Sequence, residues 1–342
     1  MFPNSSEQHQ SEKDRLCCEE KEWIILAKKT ESAAAGRKRI VGLPRALLYD
    51  RYRILWKVFF QELGVDVLVS PPTTLETLNR GTARAIDEMC LSVKVYLGHV
   101  EKLVGNCDYI LVPRISNFGI RRYMCTTFEG LYDICRNLFR ETGQKFLSYN
   151  VDVTHDLDEE AAFLAMAQEL GFARKEAAKA YKKAKKAETE DWKKQVKRQE
   201  ELYKSDGLKV LIASHSYVVN DAYIGKPVTD FLKNAGVTVL RADVMDRKEA
   251  LKQGSRLSPT MRWEFNREIA GGIYTNRKQV DGIILLSVFP CGPDAMTNDM
   301  IIRRNDGTPI LNLMLDAQSG MAGVETRLES FIDILRLKRN AL

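Results

Sequence analysis

Apolar residues arrive in two rhythms along this chain. Short, nearly unbroken runs of apolar and β-branched residues lie at 39–42, 65–70, 109–113 and 146–151. They return at 209–213, 237–242, 282–288 and 309–315. Between these runs, apolar positions recur at helical spacing over 46–63, 74–90 and 129–141, then over 227–234, 262–270, 297–303 and 326–337. Strands alternating with helices predict parallel sheets covered by helices on both faces. The run Ile283-Ile284-Leu285-Leu286 suits a strand buried on both sides. The two series are similar stretches, so the expected fold is α/β, with two doubly wound (Rossmann- or flavodoxin-like) domains at 38–155 and 207–342. A helical connector at 156–206 joins them, the second domain ends in a helix, and a polar leader at 1–37 reads as a poorly ordered tail. In such sheets, ligands bind beyond the carboxyl ends of the strands, which points to the loops after strands and to the cleft between the halves.

Composition narrows the class. A chain of 342 residues, 44% apolar and 29% charged, is long enough for two cores. No run of 18 apolar residues exists, and residues 1–15 are polar with no apolar h-region. The expectation is a cytoplasmic protein with no membrane span and no secretory signal. Thiols are kept reduced there, so seven cysteines read as metal ligands, catalytic thiols or core filler before disulfides. The net charge of +6 is concentrated. Between Arg174 and Lys204 stand twelve Lys/Arg against six Asp/Glu, an excess equal to that of the whole chain. Trp192, Val196, Gln199 and Tyr203 recur there at helical spacing, so the segment reads as a long solvated helix with an inner stripe. With no helix-turn-helix, zinc finger or aromatic-basic platform beside it, no nucleic-acid partner is expected.

Candidate chemistry follows the strands. Arg45 comes after the first run, Arg114 and then Cys125 after the third, and His215, Tyr217 and Asp221 after the fifth. Phe289-Pro290-Cys291-Gly292-Pro293 comes after the seventh, and Cys90 closes the expected helix 74–90. By spacing alone the three cysteines form no local metal signature, and buried, inert thiols are the better reading. Cys107 and Cys135 read as core residues, and Cys17 and Cys18 carry no function. His99 reads as a hydrogen-bonded structural histidine. His215 is a candidate for catalytic proton transfer, with loop bracing as the alternative. Arg45 and Arg114 are candidates for binding a substrate carboxylate or phosphate in bidentate fashion, or are themselves loop braces.

Several motifs, taken together and in order, resemble the acyl-CoA dehydratase activase-related proteins, relatives of the 2-hydroxyacyl-CoA dehydratase subunits. They are Val41-Gly42-Leu43-Pro44-Arg45-Ala46-Leu47-Leu48-Tyr49; Asp87-Glu88-Met89-Cys90-Leu91-Ser92-Val93-Lys94 with Gly98-His99; and Tyr109 to Arg114 followed by Tyr123-Met124-Cys125. Ser214-His215-Ser216-Tyr217 with Asp221, Phe289 to Asp294, and Thr326 to Asp333 complete the series. The resemblance implies a 4Fe–4S cluster held by Cys90, Cys125 and Cys291, with the fourth iron open to water or a thioester oxygen. It also implies an ATP-dependent iron–sulfur activase as electron donor, a sister subunit of the same fold, and a CoA thioester or comparable substrate. The chain departs from the family pattern at Ser92 and Thr126, where prolines usually shape the loops. The expected function is therefore passage of a low-potential electron to such a substrate, as a dehydratase or reductase subunit. The alternatives are an electron-transfer subunit without its own substrate site, or a non-catalytic scaffold or binding module.

Overall fold

The computed structural model describes residues 38–340, so the leader, with Cys17 and Cys18, lies outside the described residues. The first sheet contains β1 (Ile40–Leu43), β2 (Asp66–Val69), β3 (Tyr109–Asn117) and β4 (Lys145–Asp152), in the order β2-β1-β3-β4, all parallel. The second contains β5 (Lys209–Ala213), β6 (Thr238–Arg241), β7 (Gly282–Val288) and β8 (Ile310–Leu315), in the order β6-β5-β7-β8, again all parallel. The α/β expectation holds. The inner strand β7 is buried at every position, as its unbroken apolar run requires.

The helices of the first half are α1 (Tyr49–Glu62), α2 (Leu75–Arg84), α3 (Leu91–Leu103) and α4 (Thr126–Leu138). The linking helices are α5 (Glu159–Glu169) and the long α6 (Arg174–Tyr203). The second half has α7 (Ser216–Val219), α8 (Lys226–Asn234), α9 (Arg247–Leu257), α10 (Glu264–Asn276), α11 (Gly292–Arg303) and α12 (Met321–Asn340). One expectation is corrected here. The helix expected over 74–90 stops at Arg84, where Ala85 turns to extended backbone, and Cys90 opens α3 instead of closing α2. The apolar spacing runs through the break, but the chain must reverse there for α2 and α3 to pack together.

That reversal is built twice. Gly81 of α2 and Gly98 of α3 let the two backbones touch: a Cβ on Gly98 would stand 1.9 Å from the Thr77 carbonyl oxygen. In the second half, Gly254 of α9 and Gly271 of α10 do the same, with a Cβ on Gly271 falling 1.8 Å from the Ala250 carbonyl oxygen. The strands repeat as well. Asp108 Oδ2 accepts the Ile40 N–H at 2.7 Å where β1 begins, and Asp281 Oδ2 accepts the Lys209 N–H at 2.7 Å where β5 begins. The two halves are one supersecondary pattern used twice.

Connector α6 buries Ala177, Ala180 and Ala184, small enough for close packing beside α1, and turns most of its lysines to solvent. Its far end is pinned to the second sheet by Gln199, whose Nε2 donates to the carbonyls of Arg241 and Val244 and whose Oε1 accepts the Arg241 N–H. Of the expected inner stripe, Gln199 is buried and Trp192, Val196 and Tyr203 are half-buried. Among the described residues, no helix is long and apolar enough to cross a membrane.

Candidate functional site

Cys90, Cys125 and Cys291 share one local geometry. Each is extended and immediately precedes a helix: α3, α4 and α11 respectively. Each sulfur faces N–H groups of the first turn of its helix: Ser92 and Val93 for Cys90, Thr127 and Phe128 for Cys125, and Asp294 for Cys291. A helix start offers partial positive charge, which favours an anionic sulfur. The loops meet across the two halves. The Leu91 N–H donates to the Phe289 carbonyl at 3.0 Å, and the Glu264 N–H donates to the Tyr123 carbonyl at 2.9 Å.

These two bonds are the same bond made twice. Leu91 follows Cys90 and Phe289 lies two before Cys291; Glu264 follows Trp263 and Tyr123 lies two before Cys125. The glycine pairs give the same register. Cys90 is nine residues after Gly81 and eight before Gly98, and Trp263 is nine after Gly254 and eight before Gly271. The halves therefore meet about a pseudo-twofold axis, since reciprocal contacts of this kind define an isologous interface. Four helix starts surround the axis. Three carry thiols, and the fourth carries the indole of Trp263.

The three thiols converge around Tyr217. Its hydroxyl is driven far above its ordinary pKa, first by burial and then by the charges of Asp294, Cys291, Cys125 and Cys90. A cavity of about 20 Å³, room for one water, is lined there by Cys125, Cys291, His215, Tyr217 and Trp263, among others. Burial pushes the Cys90 thiol up to about 11 and raises Cys125 and Cys291 as well. A metal would have to displace these protons. Among the described residues, no group of three or more His, Cys, Asp or Glu stands close enough to grip one metal ion. A cubane places its thiolates on separate irons and so needs a wider set. Three sulfurs, each backed by a helix start, are soft donors of the kind a cubane takes one to an iron.

Beneath Cys291, His215 Nε2 meets Asp294 Oδ1 at 2.8 Å, and Asn266 Nδ2 donates to the same oxygen at 2.7 Å. His215 stacks on Tyr217 with ring centroids 4.9 Å apart and planes 7° from parallel. Burial opposes charge on the imidazole, but the charge and hydrogen bond of Asp294 outweigh it, and the His215 pKa rises. Burial would likewise raise Asp294, yet His215 and the Asn266 bond hold it low. His215 thus lies in the thiol-lined core of the site and holds the first turn of the Cys291 helix.

The two arginines part company. Arg45 sits just beyond β1, with its N–H on Ser70 Oγ at 2.8 Å and its Nε on the Ser70 carbonyl at 3.1 Å, so it braces the loop after β2. Arg114 is not at a strand end. β3 runs on to Asn117, and the guanidinium of Arg114 pairs with Asp133 of α4 at 3.4 Å. His99 is buried between Ser70 Oγ at 2.8 Å and Thr73 Oγ1 at 2.9 Å, and burial lowers its pKa to about 3, so it stays neutral. Thr73 in turn donates to Asp221 of the other half.

Sequence reasoning missed Asp294, Asn266 and Trp263. The glycine spacing carried the signal for Trp263. It also missed a wide cavity of about 590 Å³ on the Cys125 side of the axis, bounded by both halves. On its rim, Asp152 accepts from Asn117 Nδ2 and Thr154 Oγ1 and pairs with His155 Nδ1 at 2.8 Å.

Fold and site together define a two-sheet α/β protein with a thiol-bearing centre on the axis between its halves. The family model described as the CoA enzyme activase uncharacterised domain (DUF2229) matches residues 40–245, more than half of the chain, and the chain belongs to that family. No curated protein matches it. Among solved structures, the SBP FpvC of Pseudomonas aeruginosa in complex with Mn2+ is similar over 90% of this chain and 100% of that one, at 12% identity and a TM-score of 0.28. ZnuA is similar over 88% and 99%, at 9% identity and a TM-score of 0.26.

Proposed function

We propose that this chain is an iron–sulfur protein of the 2-hydroxyacyl-CoA dehydratase type, with Cys90, Cys125 and Cys291 holding a 4Fe–4S cluster at the pseudo-twofold axis. When bound, the cluster would supply a low-potential electron, received from an ATP-dependent activase, to a CoA thioester or comparable substrate. The observation that carries the reading is the convergence of three thiols on Tyr217 from three helix starts in two halves. The helix starts favour thiolates. Phe128, Tyr217 and Phe265 give the surroundings an aromatic lining, and burial of this kind tunes a cluster's potential. His215 and Asn266 fix Asp294, and with it the turn that presents Cys291. The family's description as a CoA enzyme activase domain favours, as a second reading, a subunit that carries electrons without its own substrate site.

Anaerobic purification with iron and sulfide analysis tests the proposal. Cys90→Ser, Cys125→Ser and Cys291→Ser should each abolish the iron-dependent visible absorption. Cys107→Ser and Cys135→Ser, at core positions away from the axis, should keep it. If all three axis variants retain full iron, the reading is wrong. If the wild type takes up no iron, the scaffold alternative replaces it.

A further inference from the structure

The 590 Å³ cavity lies against the fourth helix start of the axis. Tyr123, Met124 and Trp263 line both it and the small thiol-side cavity, so these side chains form the partition between the two. Its size is that of a site for a small organic ligand. One wall is apolar: Met124, Trp263, Met296 and Met300, the flexible thioethers that adapt to varied apolar shapes. Met296 is 58% exposed, open for contact rather than packed away.

The charged lining selects among ligands. Arg262 is exposed and has no ion pair among the described residues. His155 spends Nδ1 on Asp152, which leaves Nε2 as the ring nitrogen available to a ligand. Against these stand Glu129 and Asp152. Asp152 is held ionised: its three hydrogen-bond partners depress its pKa although burial pushes the other way. One guanidinium against two carboxylates is a balance that accepts one ligand carboxylate on Arg262 and disfavours a second.

We propose that this cavity binds an organic monocarboxylate with an apolar body, the body on the methionine–tryptophan wall and the carboxylate on Arg262. It goes beyond the proposed function, whose substrate is a CoA thioester or comparable molecule, and names a separate ligand beside the thiol centre whose binding does not depend on that reading. The test is calorimetric titration of the full chain, iron-loaded and iron-free, with 4-phenylbutyrate and with glutarate as the dicarboxylate control. 4-Phenylbutyrate should bind saturably in both forms, and glutarate at least about tenfold more weakly. Arg262→Gln and Met296→Glu change exposed side chains and should fold normally; each should weaken 4-phenylbutyrate at least about tenfold. Equal binding of glutarate, absence of saturable binding in the millimolar range, or unchanged affinity in both variants overturns the proposal. Binding to iron-free protein that cannot be loaded with iron would sink the cluster reading and leave this one standing.

Discussion

At the scale of single residues, the His215–Asp294 pair ties stability to pH. The folded imidazole holds its proton more tightly than an unfolded histidine does. Its contribution is therefore complete below about pH 6.5 and is lost as the pH rises through the raised folded value. Asp294 contributes in the opposite sense: fully above the ordinary carboxylate range, and less as the pH falls through its lowered value. Urea unfolding at a series of pH values should show stability declining on the alkaline side of neutrality. His215→Gln should remove that decline; a variant that keeps the wild-type slope would assign it to another group. The residues themselves were unevenly legible. The cysteines after β3 and β7 could be picked out because position after a strand is a local property. Asp294 was not, because its importance comes from His215, 79 residues away. Arg114 misled for a related reason: β3 continues past the apolar run, through Arg114 and Ser116, because β4 pairs with it to the end.

At the scale of elements, the glycine crossings set the geometry on which the site depends. Gly98→Ala places a methyl 1.9 Å from a backbone carbonyl, and neither backbone can yield without moving α3 and the Cys90 that opens it. Overpacking of this kind costs about 1–3 kcal/mol. Thermal unfolding should show a loss of that order for Gly98→Ala and again for Gly271→Ala. Gly143→Ala, at a surface turn, gives a comparison in which the cost is left-handed backbone and not collision. A melting temperature unchanged in Gly98→Ala would mean that the helices separate freely. All eight strands were legible to within a few residues at their starts, because buried parallel strands write their apolar runs plainly. The α2–α3 break was not. Helical spacing continues through 85–90 even though Ala85 leaves the helix, since the residues after the turn pack on the same core. The α9 segment was also missed, its 11 residues offering only Ala250, Gly254 and Leu257 to the interior.

At the scale of the whole molecule, the two halves are pressed together. One continuous cluster of buried apolar side chains includes members of both sheets. Arg51 of α1 reaches across to Glu268 of α10 through paired bonds of 2.7 and 2.9 Å, with its guanidinium 4.1 Å from the Phe265 ring centroid. Removing one member of a buried pair strands the other charge, at a cost of about 3 kcal/mol or more. Glu268→Gln should therefore lower the urea midpoint in one cooperative step; two separate transitions would mean that the halves unfold independently. The likeness of the halves was visible in the strand pattern, but the reciprocal contacts that relate them were not, because they arise only on docking. Those contacts bear on stoichiometry. A symmetric homodimer of either half would carry each corner residue in duplicate, so it could present four thiols, two or none around its axis. Three is an odd number that exact twofold symmetry forbids. Joining both halves in one polypeptide removes that restriction and lets Trp263 differ from Cys90. If the proposed cluster sits on this axis, Trp263→Cys should restore the even count, and by spectroscopy after air oxidation the reconstituted variant should keep all its iron where the parent loses one. Equal loss from both would mean that the fourth corner lies beyond reach of the cluster.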